Sequence, residues 1–150
     1  MSDLKLAWDN EAGEADLVLE GPELAIEQGF DTAIQISLFT DARASTDDML
    51  PGGPGADRRG FWADSVAPVT PGDITGSKLW LLERAKRTPE TLRAIERHAA
   101  DALQWLVGDG HADAVACSAE GFGDSGIALG VTVTVDAKDQ AYSYMLERGD

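Results

Sequence analysis

The pattern of apolar and polar residues predicts strands at both ends of the chain and helices between them. Near the start, apolar and polar residues alternate over residues 4–8 and again over residues 15–20. Residues 9–14, which lie between these two runs, have a turn-forming composition, so the pattern predicts an N-terminal β-hairpin. Residues 24–27 predict a third short strand or a continuation of the sheet after the break at Gly21-Pro22.

Alternation returns in the C-terminal third of the chain. Residues 112–120, 127–135 and 140–147 each predict a strand, and the second of these alternates most regularly. The glycine-rich residues 121–126 separate the first two runs, which indicates a hairpin loop. We therefore expect a set of C-terminal antiparallel strands.

Three central helices are predicted, over about 30–43, 77–87 and 89–107. The first and third are predicted from apolar residues at helical spacing, and the second from Ser77 as an N-cap followed by the apolar run Leu79-Trp80-Leu81-Leu82. The third segment opens with Thr88-Pro89-Glu90, which supplies an N-cap residue, a proline at the first helical position and an acid in the first turn. Its apolar positions form one stripe at a period of 3.6 residues, and Gly108 and Gly110 mark its end. The stripe consists of Leu92, Ile95, Ala99, Ala102, Leu103 and Leu106.

Residues 44–76 predict a long irregular loop, because four of the six prolines of the chain lie there. The aromatic pair Phe61-Trp62 argues against disorder, since such side chains need to be buried against something. Strands, then helices, then strands give an α+β fold, and the length of 150 residues favours a single domain over residues 1–150.

The chain is acidic, with a formal net charge of −15. This charge argues against a protein that binds nucleic-acid phosphates through its general surface. Six of the twelve Lys and Arg residues nevertheless lie between residues 78 and 97. They form either a solvated helix face with ordinary ion pairs or a face that meets an acidic surface on a partner or on this chain itself.

No residue pattern indicates a catalytic, cofactor-binding or metal site. The glycines at 121, 123 and 126 have the spacing of the dinucleotide-binding motif Gly-x-Gly-x-x-Gly. However, a strand is predicted after them, whereas the motif requires a helix there. His98 and His111 lack metal-ligand spacing, and no Gly-x-Ser-x-Gly motif is present. The residues themselves therefore give weak support to catalysis, and we expect a protein that is not an enzyme.

Two other functions stay open at this point. The acidic residues of the loop could hold a divalent metal in a hydrolase that uses the segment 41–57. The net charge could instead belong to an acidic decoy that mimics DNA.

The single cysteine, Cys117, cannot form an intrachain disulfide and is expected in the core. Neither a signal peptide nor a membrane span is expected, which favours folding in the cytosol.

Paired arginines and tryptophans stand in one basic run of this acidic chain, and both residue types are enriched at the energetic centres of protein interfaces. The run contains Asp57-Arg58-Arg59-Gly60-Phe61-Trp62-Ala63-Asp64 and Gly76-Ser77-Lys78-Leu79-Trp80-Leu81-Leu82-Glu83-Arg84-Ala85-Lys86. It is followed by three shorter motifs, Thr91-Leu92, Ala102-Leu103-Gln104-Trp105-Leu106 and Asp109-Gly110. In this order and spacing the chain resembles the gene product 46 family of Mu-like phages and prophages. The departures are Phe61, where a second Trp is frequent, and His111, where Val is common.

The resemblance implies a structural protein in the tail baseplate of a contractile phage, similar to the sheath-initiator group. Such a protein would join the wedge and hub proteins, offer a strand edge to the first sheath ring, and be present in six copies. The location implied is the virion tail, with assembly in the host cytoplasm and without nucleic acid, membrane or cofactor. We expect partner contacts from the basic run, at Arg58, Arg59, Phe61, Trp62, Lys78, Arg84 and Lys86.

Overall fold

The structure is a computed structural model that describes residues 3–66 and 73–146. Its first part consists of short strands joined in antiparallel pairs, with β1 paired to β6, β2 to β3 and β4 to β5. The predicted hairpin is confirmed as β2–β3, and the segment after Gly21-Pro22 adds two further strands. The six strands are β1 (Asp3–Leu4), β2 (Leu6–Asp9), β3 (Glu14–Leu17), β4 (Leu19–Glu20), β5 (Glu23–Leu24) and β6 (Ile26–Glu27).

Three backbone hydrogen bonds join these pairs at one junction. The N–H of Lys5 donates to the carbonyl of Ala25 (2.8 Å), the N–H of Ala25 donates to Val18 (2.8 Å), and the N–H of Val18 donates to Lys5 (3.0 Å). The three strand pairs are therefore joined to one another by backbone hydrogen bonds. We call residues 3–27 the N-terminal β-module.

The first helix, α1 (Asp31–Phe39), is shorter than the predicted 30–43. It begins where the two carboxylate oxygens of Glu27 accept hydrogen bonds from the N–H groups of Asp31 and Thr32, each at 3.0 Å. It ends because Thr40 is extended and its carbonyl accepts from the N–H of Ser77 (2.9 Å). A backbone contact between distant residues thus ends the helix before the apolar pattern does.

The predicted helix over 77–87 is wrong. Only the four residues Leu79–Leu82 are helical, as a 3₁₀ helix, and turns follow it. Ser77 cannot begin a longer helix, because its backbone bridges to Asp41 and its hydroxyl donates to the carbonyl of Leu38 (2.6 Å). Trp80, within this short helix, is buried.

The predicted helix over 89–107 is confirmed as α2 (Pro89–Gly108). The Thr88 hydroxyl accepts from the N–H of Thr91 (3.2 Å) and caps the helix. The stripe is buried at Ile95, Ala99, Leu103 and Leu106, none more than 3% exposed. Neither α1 nor α2, the helices within the described ranges, combines the length and hydropathy that crossing a membrane requires.

The C-terminal strands form an antiparallel sheet in the order β7-β8-β9, comprising β7 (Ala114–Phe122), β8 (Gly126–Val135) and β9 (Lys138–Leu146). The glycine-rich residues form the turn between β7 and β8, as predicted. One face of the sheet packs against α1 and α2 and supplies the fully buried Ile127, Leu129, Val131 and Val133. The α+β fold predicted from the sequence is confirmed.

The long loop is irregular in its described parts. It holds one 3₁₀ helix, Trp62–Ser65, and otherwise consists of turns and extended residues. The part of the predicted loop at residues 67–72 lies outside the described residues.

Candidate partner-binding site

The basic run is held against the end of α1 by a backbone bridge between Asp41 and Ser77. The N–H of Ala42 donates to the carbonyl of Ser77 (2.9 Å), and the indole Nε1 of Trp80 donates to the carbonyl of Ala42 (2.8 Å). Gly76 makes this close approach possible, because it has φ +97° and a Cβ there would lie 2.2 Å from the carbonyl oxygen of Thr40. Two distant parts of the loop region are therefore fixed on one support.

Arg59 is the centre of the site. Its guanidinium donates to Asp41 Oδ2 (2.9 Å) and to both carboxylate oxygens of Glu83 (3.1 and 3.2 Å), and its Cζ lies 4.5 Å from the centre of the Trp80 ring. Burial alone would lower the pKa of Arg59, but the hydrogen bonds and charges of Asp41 and Glu83 raise it. The expected partner-binding Arg59 is thus already engaged within its own chain.

Arg58 and Lys78 are engaged in the same way on the neighbouring turn. The Arg58 guanidinium donates to the carbonyls of Ser45 and Thr46. The Lys78 ammonium donates to Asp48 Oδ2 and to the Ser45 hydroxyl, both at 2.7 Å. This ammonium lowers the pKa of the Asp48 carboxyl below its usual value. These two cations shape the turn at residues 45–48.

Phe61 and Trp62 form an aromatic pair that follows the two arginines. Phe61 and Trp62 lie with their ring centres 5.7 Å apart, and Phe61 is half-buried whereas Trp62 is 71% exposed. Trp62 is the first residue of the short 3₁₀ helix. Asp64 holds this helix in place, because its Oδ2 accepts a hydrogen bond from the N–H of Thr75 (3.0 Å). A large aromatic side chain on an ordered turn and open to solvent is suited to contact another protein.

Arg84 and Lys86 lie on the turns before α2, where both are exposed. Neither makes an ion pair with any residue in the described ranges 3–66 and 73–146. Of the expected partner-binding residues, the structure therefore leaves Trp62, Arg84 and Lys86 open, while Arg58, Arg59 and Lys78 serve the loop.

The acidic residues of the loop are separated from one another. Asp41 pairs with Arg59, Asp48 pairs with Lys78, and Asp57 accepts from the N–H of Arg59 (3.1 Å). No group of three or more His, Cys, Asp or Glu side chains with metal-binding geometry occurs among the described residues. The arrangement of these carboxylates thus gives the metal-dependent hydrolase no support.

A second candidate site is the outer edge of β9. The N–H of Met145 donates to Asn10 Oδ1 (3.0 Å) and so points away from β8. Because backbone groups alternate along a strand, the N–H groups of Asp139, Ala141 and Ser143 point to the same free side. None of these three N–H groups has a hydrogen-bond acceptor within the described part of the chain.

The opposite edge of the sheet is contacted by helix α2 and by Arg87 at its C-terminal end. On β7 the N–H of Ala119 donates to Glu96 Oε1 of α2 (2.9 Å), and Arg87 donates to carbonyls of the following turn. The alternation of apolar and polar residues predicts the strands and their two faces, but it does not predict which edge strand of the sheet the helix α2 contacts. The residues of the β9 edge therefore could not be singled out from the sequence.

Comparisons with known proteins agree with the pattern of the basic run. The model of the family described as phage protein GP46 matches residues 30–142. The chain is 38% identical over 137 residues to the baseplate protein gp46 of Escherichia phage Mu, covering 90% of this chain and 88% of that protein. It is 46% identical over 115 residues to the Mu-like prophage FluMu protein gp46 of Haemophilus influenzae, covering 77% and 73%. The chain therefore belongs to the phage protein GP46 family.

Proposed function

We propose that this protein is a structural component of a phage or prophage tail baseplate and has no catalytic role. Its relative from phage Mu is named a baseplate protein, and the similarity extends over nine-tenths of this chain. The observation that carries the proposal within the structure is the open edge of β9, at Asp139, Ala141 and Ser143. The location that follows is the virion tail, after assembly in the host cytoplasm.

The β9 edge gives this structural role a mechanism. An exposed strand edge pairs with an added strand through backbone hydrogen bonds, which need little specific sequence. A strand from a sheath subunit would extend the sheet β7-β8-β9 to a fourth strand. Each hydrogen bond formed contributes about 0.5–1.5 kcal/mol net, so an edge of three N–H and three carbonyl groups supports a specific contact. In this way the protein would nucleate the first sheath ring of a contractile tail.

The wedge and hub proteins would meet the basic run. The exposed ring of Trp62 and the side chains of Arg84 and Lys86, two cations without an ion pair among the described residues, fit an acidic partner surface. The role of the other residues of the run would be indirect, because they hold the loop in its shape; these are Arg58, Arg59, Phe61 and Lys78. Six copies around the baseplate would bring six such surfaces and six strand edges together.

The Ala141→Pro variant tests the strand-edge role. Proline removes the N–H of residue 141 and is tolerated at an edge position whose N–H faces solvent. The sheet β7-β8-β9 should stay intact, while strand addition loses a central hydrogen bond. The Ala141→Ser variant is the matched control, because it changes the same side chain and keeps the N–H.

The variants are co-expressed with the sheath, wedge and hub proteins and analysed by gel filtration. We expect the unaltered protein and Ala141→Ser to elute with the sheath protein, and Ala141→Pro to lose the sheath protein while it keeps a wedge or hub protein. Equal sheath binding by both variants would contradict the strand-edge role. Failure to bind any of these proteins would contradict the baseplate role itself.

A further inference from the structure

The turn of the N-terminal hairpin lies against one end of the open β9 edge. This turn, residues 10–13, connects β2 to β3 and we call it the β2–β3 turn. The Oδ1 of Asn10 accepts a hydrogen bond from the N–H of Met145 (3.0 Å), and Met145 is the last residue but one of β9. Residues 11–13 line one cavity together with Met145 and Leu146. The whole β2–β3 turn is therefore packed beside the C-terminal end of β9.

The side chain of Asn10 takes the place of a neighbouring strand at this point. In a sheet, the N–H of one strand lies about 2.7–3.2 Å from a carbonyl oxygen of the next. The amide oxygen of Asn10 is the same kind of acceptor, and it lies at 3.0 Å from the N–H of Met145. Asn10 thus provides for Met145 the hydrogen bond that an added strand would provide for Asp139, Ala141 and Ser143.

The β2–β3 turn keeps its shape without the side chain of Asn10. The Oδ1 of Asp9 accepts from the N–H groups of Glu11 (2.8 Å) and Ala12 (3.0 Å), and the N–H of Gly13 donates to the carbonyl of Asp9 (2.9 Å). Gly13 has φ +67°, which suits a glycine. The exposed side chain of Asn10 is therefore presented by a turn that its neighbours hold together.

We propose that Asn10 fixes the register of the strand that β9 receives, because it closes the edge at Met145. This role rests on the proposed addition of a sheath strand to β9, and it assigns the residue that decides where along β9 that strand lies. The occupant of the edge is an extended segment of the sheath protein that pairs with residues 139–143 and ends beside the β2–β3 turn.

An open edge needs such a residue because side chains alone leave one ambiguity. A slip by one residue turns every side chain of the added strand to the opposite face, whereas a slip by two residues keeps the faces. With Met145 closed, a strand forms all three pairs only opposite Asp139, Ala141 and Ser143. A slip by two in one direction meets Asn10 at Met145. A slip in the other direction reaches Ala137, whose φ of +60° belongs to the turn before β9.

Three variants of the β2–β3 turn separate the hydrogen bond from the rest of the turn. Asn10→Ala removes the acceptor and frees the N–H of Met145. Asn10→Asp keeps an oxygen in the same position and should restore the behaviour of the unaltered protein. Glu11→Ala is the matched control, because it shortens the adjacent exposed side chain of the same turn. In the free protein, we expect the Met145 amide to exchange its hydrogen faster in Asn10→Ala than in Glu11→Ala, and circular dichroism verifies the fold.

Disulfide cross-linking in the sheath complex measures the register. Cys117→Ala with Ser143→Cys leaves one thiol in this chain, on the exposed side of β9. Sheath variants carry one introduced cysteine each, along the segment that the complex protects from hydrogen exchange.

We expect one sheath position to dominate with unaltered Asn10, with Asn10→Asp and with Glu11→Ala. Its yield should exceed that of the position two residues away by about tenfold or more, since a slipped strand lacks one pair of hydrogen bonds. Asn10→Ala should cross-link at both positions, with yields within about threefold of each other, because both registers then form three pairs.

Three outcomes would overturn the role of Asn10 and leave the added strand on β9 intact. They are one unchanged sheath position in Asn10→Ala, several positions already with unaltered Asn10, and equal exchange of the Met145 amide in Asn10→Ala and Glu11→Ala. A different result, the absence of any sheath complex or cross-link in every variant, would contradict strand addition itself, and the role of Asn10 would fall with it.

Discussion

The guanidinium of Arg59 lies over the indole ring of Trp80, with its Cζ 4.5 Å from the ring centre. Trp80 is buried and its Nε1 donates to the carbonyl of Ala42, so the ring is a fixed platform for the cation. Asp41 and Glu83 hold the same guanidinium from its edges. The stack therefore joins three parts of the chain that are separate in sequence, and it orders the loop from which Trp62 projects.

We expect the double variant Arg58→Ala with Arg59→Ala to loosen this loop and leave the core intact. The ion pairs are partly exposed and the stack is a surface interaction, so the total cost should be about 1–2 kcal/mol. The melting temperature should fall by roughly 2–8 °C, and binding to wedge and hub proteins should weaken. Arg93→Ala, which removes an exposed cation without an ion pair among the described residues, is the control for melting. A collapse of the whole fold would show that the arginines support the core.

Gly76→Ala should be strongly destabilising. The positive φ of Gly76 and the short distance to the Thr40 carbonyl leave no room for a Cβ, so we expect a loss of about 3–5 kcal/mol. Gly108→Ala is the matched control, because a Cβ there meets no atom within 4 Å and the residue ends a helix. Urea unfolding measures both. Equal stability of the two variants would mean that the bridge between Asp41 and Ser77 does not hold the loop.

His98 should make stability depend on pH. Burial, together with the charge of Arg97, lowers its pKa below the usual 6.5, while Asp101 and Asp48 oppose this shift and Lys78 adds to it. The unfolded chain therefore takes up a proton first as the pH falls below about 6.5, and the folded state loses stability. The melting temperature should fall less between pH 7 and pH 5 in His98→Gln than in the unaltered protein. An identical pH dependence of the melting temperature in the two proteins would contradict the lowered pKa of His98.

Cys117 should be unreactive in the folded protein. Burial, aided by the charge of Glu96, raises the pKa of its thiol to about 11 from an ordinary value of 9.0. Since the thiolate is the reactive form, alkylation at pH 8 should be about 100-fold slower in the folded than in the urea-unfolded protein. Mass spectrometry of timed samples measures the two rates. Equal rates would place Cys117 at an open surface.

The structure shows why some elements could be predicted from the sequence and others could not. The helix α2 carries its own signals, since Thr88 and Pro89 start it and one apolar stripe continues through it. The segment that begins at Ser77 looks helical by its own composition, but the backbone of Ser77 is hydrogen-bonded to Thr40 and Ala42, more than thirty residues away. Such long-range pairing overrides local propensity, and the sequence gives no sign of it.

The candidate site, like the fold, could be predicted from the sequence only in part. Clustering of arginine and tryptophan in one run could be read from the sequence, and the run does form one ordered structure. The partners of Arg59 lie 18 and 24 residues away, so its internal engagement could not be anticipated. The exposure of Trp62 and the open edge of β9 also depend on how distant elements pack. The contact residues proposed from the sequence therefore divide into loop-supporting and solvent-facing groups only in the folded chain.

Amide hydrogen exchange at Asp139, Ala141 and Ser143, in the complex with the sheath protein, tests directly whether β9 receives an added strand. These N–H groups point away from β8 and should exchange rapidly in the free protein. We expect all three amides to become protected in the complex, while amides at the β7 edge change little. A stable sheath complex in which these three amides still exchange rapidly would contradict the claim that β9 receives the added strand.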